Sequence, residues 1–214
     1  MHNRYHVIIA AAGMGLRLNQ GKPKGLVTYK NKALILHTLD AFLKFKDHIA
    51  SVFICVPKTH KDTFKNLLNN HHLAPRLICG SNTRAKSVYE AVKQLPDNGF
   101  VLIHDGARPF AHTSIQALIN CPLEHKAVIP TLAMTDTLKE VTKNYVIKSH
   151  TREHFFRVQT PQRFCIKTLK KAYQLCSWDQ FSDESQLFEA IKKPVFCIPG
   201  DPKNKKITFP DDLS

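Results

Sequence analysis

The residues best suited to chemistry gather just past short apolar runs. The first run gives way to Ala10-Ala-Ala-Gly-Met-Gly-Leu-Arg-Leu18, and Lys24 follows in Gly21-Lys-Pro-Lys-Gly25. A strand ending in a small, glycine-containing turn lets backbone N–H groups approach a phosphate closely. Two familiar loops can be tested against it. A dinucleotide fingerprint would use Gly13 and Gly15, but its third glycine position holds Leu18. A Walker A loop from Gly15 to Gly21 is one residue too long, and Pro23 stands where Ser or Thr is needed. Both fail. What remains is either an ordinary turn or a phosphate-approaching loop flanked by the cations Arg17 and Lys24.

Three further clusters favour the second reading. Phe100-Val-Leu-Ile-His-Asp-Gly-Ala-Arg-Pro109 places Asp105 at the end of an apolar run, with Arg108 behind it. A carboxylate there can hold Mg²⁺ or a ribose hydroxyl, or it can simply cap a turn. Arg152 and Gln159-Thr-Pro-Gln162 come next, and Gly200 to Pro210 contributes Lys203, Lys205 and Lys206. The six cysteines form no CxxC pair and the twelve histidines form no HExxH, so zinc and redox-dithiol chemistry are not supported.

These clusters need elements to hold them. Runs rich in Val, Ile and Phe lie at His6–Ala10, Ser51–Val56, Arg76–Cys79, Phe100–His104, Ala127–Pro130 and Val195–Ile198. Their continuous character suits strands buried on both faces. Between them, Leu36, Leu39, Phe42 and Leu43 share one helical face, as do Phe64, Leu67 and Leu68, and Val88, Val92 and Leu95. Later helices are expected over Thr113–Asn120, Lys167–Cys176 and Asp183–Ile191. Alternating βα units predict an α/β fold, a mostly parallel sheet with helices on both faces and ligands beyond the carboxyl ends of the strands. One segment breaks this rhythm. Thr137 to Ser149 reads as two short strands around Thr142-Lys-Asn144. A lone hairpin is marginal in water, so it should lie against the parent domain or another subunit.

Composition narrows the class. Hydrophobic residues make up 43% and charged residues 22%, which suits a folded globular domain. No apolar run approaches the ~20 residues of a membrane-spanning helix, and the N-terminus shows no signal-peptide core. A cytoplasmic protein with no membrane partner is expected. The formal charge of +14 fits either an anionic partner or scattered, solvated lysines. A basic nucleic-acid-binding module is the distant alternative. It would need interleaved aromatics, a zinc finger or a helix-turn-helix, and none is visible.

The order of motifs resembles the 2-C-methyl-D-erythritol 4-phosphate cytidylyltransferase family of the non-mevalonate isoprenoid pathway. The likeness rests on AAAGMGLRL at 10–18, KPKG at 22–25, ILHTL at 35–39, TRAKSV at 83–88, HDGARP at 104–109, DTLK at 136–139, TPQRF at 160–164, SDES at 182–185 and NKKITFPDDL at 204–213. It implies a Rossmann-like nucleotidyltransferase fold, one domain over 1–214, with a β-arm at about 133–154 that crosses into a homodimer partner. It implies that Arg17 and Lys24 stabilise the transition state and that Arg152 and Lys206 position methylerythritol phosphate, with Arg108, Thr137 and Thr160 on further acceptor-site positions. Cytidine would lie against Ala11, Ala12, Gly13, Gly15, Ser81, Asn82 and Ser87, with Asp105 near the ribose or the metal. Mg²⁺ would be held mainly through the phosphates of CTP. The sequence departs from the family at Ala10, Gly25, Ser81, Asn82, Lys86 and Gly106, and Ser81 and Asn82 border the expected base pocket. Ribitol 5-phosphate cytidylyltransferase is the nearest alternative. The AAAG start and the R-x-x-S-V and DTLK patterns favour the methylerythritol enzyme.

The implied reaction agrees with what the residues lack. A phosphate monoester is largely dianionic at pH 7, with a second pKa near ~6, and needs no general base to attack CTP. No Ser–His or paired-carboxylate apparatus is visible. Cations around crowded phosphates are what such a transfer requires.

Overall fold

The apolar runs become strands because helices cover both of their faces. A computed structural model describes residues 4–15, 18 and 21–213. The chain opens with β1 (Tyr5–Ala10), a small hairpin of β2 (Thr28–Tyr29) and β3 (Lys32–Ala33), and α1 (Leu34–Leu43). It continues through β4 (Ile49–Val56), α2 (Lys61–Leu68), β5 (Arg76–Cys79), α3 (Arg84–Val92), β6 (Phe100–Asp105), α4 (His112–Asn120) and β7 (Ala127–Ala133). An arm of β8 (Leu138–Thr142) and β9 (Tyr145–His150) follows. The chain then forms β10 (Phe156–Val158), β11 (Gln162–Cys165), α5 (Ile166–Leu175), α6 (Ser185–Ala190) and β12 (Phe196–Pro199).

Strands β5, β4, β1 and β6 pair in that order, all parallel. Beyond β6, β11 runs antiparallel to both β6 and β7, and β12 closes the far side parallel to β7. Strand β10 also pairs antiparallel with β7, on the edge that β11 uses, because β12 occupies the other edge at Val128 and Thr131. The antiparallel piece is the one departure from the predicted parallel sheet. Gln162 and Arg163 make β11 too polar to read as a buried strand, yet both are buried. Arg163 donates through Nη1 and Nη2 to the carbonyls of Leu118, Cys121, Pro122 and His125 at 2.6–3.2 Å, which offsets much of the cost of its buried charge.

Strand alternation divides the core in two. Val7, Ile9, Val52, Ile54 and Leu102 point to a layer formed with α1, α2 and α4. Ile8, Phe53, Cys55, Val101 and Ile103 point to a layer formed with α3, α5 and α6. Helix α1 is rotated from its expected face. Leu34, Ile35, Thr38, Leu39, Ala41 and Phe42 are buried, while Leu36 and Leu43 are half-buried. The rotation arises because Leu34 packs into a third cluster with Leu18, Val27, Tyr29 and Ile207.

The arm forms a separate two-stranded sheet. Lys143 and Asn144 turn it with φ of 48° and 68°, the left-handed pair that matches hairpin twist. Val141, Tyr145, Val146 and Ile147 are each more than half exposed on it.

Candidate active site

Because β1, β4, β5 and β6 are parallel, their carboxyl ends meet at one edge, and the loops leaving them are sewn together. Ala11 N–H donates to the Cys55 carbonyl, Gly80 N–H to that of Val56, and Gly106 N–H to that of Ala10. Gly80 has to be glycine, since a Cβ there would sit 2.3 Å from the Ala12 Cβ. Gly15 has φ of 64°, and a Cβ on it would meet the Lys24 Cβ at 2.9 Å. That close passage, with Lys24 N–H bonded to the Gly13 carbonyl, brings Lys24 back beside the first loop.

A pocket of about 220 Å³ lies over these ends. Ala11, Ala12, Gly13, Lys24, Ser81, Asn82, Ser87, Asp105 and Lys206 all line it, so most of the expected nucleotide residues converge there. Gly15 is not on its wall, and its role in the structure is the room it leaves for Lys24. At one end, helix α3 starts beneath the 81–83 loop. The Thr83 hydroxyl caps it by accepting Lys86 N–H at 3.1 Å. Ser87 accepts the Ser81 N–H at 2.9 Å and donates to the Thr83 carbonyl at 2.8 Å. Arg17 lies outside the described residues.

A second pocket of about 160 Å³ adjoins the first, and Arg84, Asp105 and Lys206 border both. Arg108, Val158, Thr160, Gln162, Ser182 and Asp183 complete it. The shared wall is an ion network. Asp105 accepts from Arg84 Nε at 3.1 Å and from Lys206 Nζ at 2.7 Å, and Arg108 Nε lies 3.9 Å away. Burial alone would raise the Asp105 carboxyl, but Arg84 and Lys206 outweigh it and hold the group well below the usual carboxylate range. Arg84 also grips Glu184 at 2.9 and 3.1 Å. Burial opposes its charge, yet the two carboxylates hold the guanidinium firmly protonated. Burial pushes the Glu184 carboxyl up against the pull of Arg84.

Neither Arg84 nor Glu184 was among the residues that sequence reading assigned to the site. Each sits inside a quoted motif, TRAKSV or SDES, and that position within a motif was the signal available. Thr160 is present but committed, its hydroxyl accepting Asp105 N–H at 3.0 Å and lying 3.1 Å from His104 Nδ1. Arg152 and Thr137 are not brought to either pocket of their own chain. Both are exposed at the root of the arm, where Arg152 donates to the Thr135 carbonyl.

The chemistry of Asp105 bears on Mg²⁺. Both of its oxygens are held by cationic side chains. Among the described residues no three His, Cys, Asp or Glu side chains cluster as a metal site would. This donor set does not fit a divalent cation held by the protein.

Adjoining pockets lined by cations at the carboxyl edge of an α/β sheet suit the joining of two phosphorylated molecules. A family model for IspD, 2-C-methyl-D-erythritol 4-phosphate cytidylyltransferase, matches residues 5–214. The chain belongs to this family. A cytidylyltransferase of that name from Bacillus pumilus is 34% identical, over 98% of this chain and 93% of its own. Another from Clostridioides difficile is 35% identical, over 98% and 91%. The fold is similar to the crystal structure of 4-diphosphocytidyl-2C-methyl-D-erythritol synthase from Anaerococcus prevotii, with a TM-score of 0.80 at 30% identity, covering 100% of this chain and 96% of that one. The Thermus thermophilus cytidylyltransferase gives 0.78 at 29% identity, covering 98% and 95%. As a member of the cytidylyltransferase family, the chain is a nucleotidyltransferase enzyme.

Proposed function

We propose that the chain transfers the cytidylyl group of CTP to 2-C-methyl-D-erythritol 4-phosphate. The products are pyrophosphate and 4-diphosphocytidyl-2-C-methyl-D-erythritol, an isoprenoid precursor. The observation that carries the reading is the pair of adjoining pockets divided by Asp105, Arg84 and Lys206. CTP occupies the larger pocket, with its base toward Ser81, Asn82 and Ser87. The acceptor phosphate occupies the smaller one, against Lys206 and Arg108.

The acceptor phosphate is its own nucleophile, so positioning and charge do the work. Lys24, together with Arg17 of the AAAGMGLRL motif, stabilises negative charge growing around the α-phosphate of CTP. Lys206 aims the acceptor oxygen at the phosphorus. Mg²⁺ enters as the magnesium complex of CTP, bound by the nucleotide's own phosphates. Carried in with the nucleotide, it would supply neutralising charge for the departing pyrophosphate. Asp105, already occupied, sets the cations in place and takes no metal.

The reading includes a homodimer. The arm exposes Val141, Tyr145, Val146 and Ile147, and Phe155 and Phe156 are exposed at its base. A patch of this kind suits an interface. A second copy covering it gives Arg152, which is remote from its own pockets, a route to the partner's acceptor site. Among the described residues no helix is long and apolar enough to cross a membrane, and a cytoplasmic location matches the supply of CTP.

Steady-state kinetics tests the division of labour. Lys24→Ala is expected to lower kcat by roughly 10²–10³. Lys206→Ala is expected mainly to raise the KM for methylerythritol phosphate. Wild-type kcat in Lys24→Ala would overturn the assignment.

A further inference from the structure

The C-terminal segment that delivers Lys206 belongs to no regular element, yet it must hold an ammonium at a fixed place between two pockets. Its hold on the fold passes through Asn204, which is fully buried and lines neither pocket. The Asn204 side chain donates to the Thr160 carbonyl at 2.8 Å and to Ser114 Oγ at 3.3 Å. Its own carbonyl accepts from Arg108 Nη1 at 2.8 Å and from Gln159 Nε2 at 3.2 Å. Gln159 secures the same segment again, donating to the Asp201 carbonyl at 2.8 Å and accepting Asp201 N–H at 3.0 Å. Thr160 and Arg108 connect onward to Asp105, through Thr160 Oγ1 and through the turn after β6.

One residue therefore joins the turn after β6, the Gln159–Gln162 loop and the segment carrying Lys206. We infer that Asn204, supported by Gln159, is a positioning residue for the transfer, acting through Lys206 and touching no substrate. Two residues of backbone separate Asn204 from Lys206, so freedom at the first becomes misplacement at the second. A displacement of ~1 Å at a reacting group can cost about 10²-fold in rate. The buried network serves this purpose because the Asn204 amide N–H₂, the Asn204 carbonyl and both ends of the Gln159 amide are committed to fixed partners, while Asn204 Oδ1 and Arg108 Nε have none among the described residues.

The inference rests on the assignment of Lys206 to the acceptor, and the experiment separates the two. Wild type, Asn204→Ala, Lys206→Ala and the double variant are assayed for pyrophosphate release with CTP, Mg²⁺ and methylerythritol phosphate. Circular dichroism and thermal melting confirm that each is folded at the assay temperature. Asn204→Ala is expected to reproduce the pattern of Lys206→Ala, with KM for the acceptor raised about tenfold or more and KM for CTP changed less than about twofold. The double variant is expected to be no worse than Lys206→Ala alone, because residues acting as a unit are not additive. Losses that multiply, or an equal effect on both KM values, would assign Asn204 a merely structural role and overturn the inference. Should Asn204→Ala not fold, Gln159→Met keeps the side-chain volume, loosens the same segment and must give the same non-additive split. An inactive wild type would instead refute the functional reading, and an unaffected acceptor KM in Lys206→Ala would refute the role of that lysine.

Discussion

At the residue scale, His104 shows how a buried group can make the stability of the fold depend on pH. The Thr160 hydroxyl accepts Asp105 N–H and lies 3.1 Å from His104 Nδ1, and His104 Nε2–H donates to the Arg108 carbonyl at 2.9 Å. The ring is buried and neutral. Burial drives its pKa down to about 4 from the ordinary 6.5, against the pull of Asp105. The unfolded chain binds this proton more readily, so its contribution to stability is complete above about pH 6.5 and is lost as pH falls toward 4. That amounts to about 1–2 kcal/mol between pH 6.5 and 5, because the full slope of about 1.36 kcal/mol per pH unit is reached only once the unfolded imidazole is mostly protonated. Chemical denaturation of wild type and His104→Gln at both pH values is expected to show a clearly shallower decline in the variant. Equal slopes would refute the neutral buried ring. The sequence showed Asp105 and Arg108 because charged residues beside an apolar run stand out, and Lys206 through its place in the motif order of the family. It hid His104, Arg84 and Asn204, whose importance lies in buried partners that are distant along the chain.

At the scale of elements, the apolar runs and helical faces were legible wherever a strand or helix buries hydrophobic residues. The hairpin was legible from its turn, and the structure places Lys143 and Asn144 at positive φ in that turn. Strand β11 was not, because a strand that buries a guanidinium does not read as apolar. Its arginine makes a direct prediction. Arg163→Met would leave the carbonyls that close α4 and the 121–125 loop without their donor. Urea denaturation is expected to show a loss of about 3 kcal/mol or more. A change under about 1 kcal/mol would mean that the buried charge is incidental. The arm makes a second prediction. Val146→Asp with Ile147→Asp puts charge on two exposed apolar positions and should leave the core sheet intact. Sedimentation at micromolar concentration is expected to shift from dimer to monomer, and activity to fall with it. A monomeric wild type with full activity would refute the role given to the arm.

For the whole molecule, the excess of positive charge has a local use and a general one. Arg84, Arg108 and Lys206 converge on one buried carboxylate between two pockets, while many other lysines lie on exposed surface. The convergent charges fit phosphorylated substrates. The fold alone would serve several nucleotidyltransferases, so the acceptor has to be decided at the second pocket. The most direct measurement is pyrophosphate release with CTP, Mg²⁺ and a panel of polyol phosphates at matched concentrations. Turnover with 2-C-methyl-D-erythritol 4-phosphate at least about 10²-fold faster than with ribitol 5-phosphate is expected. Preference for ribitol 5-phosphate, or no release with either, would contradict the account.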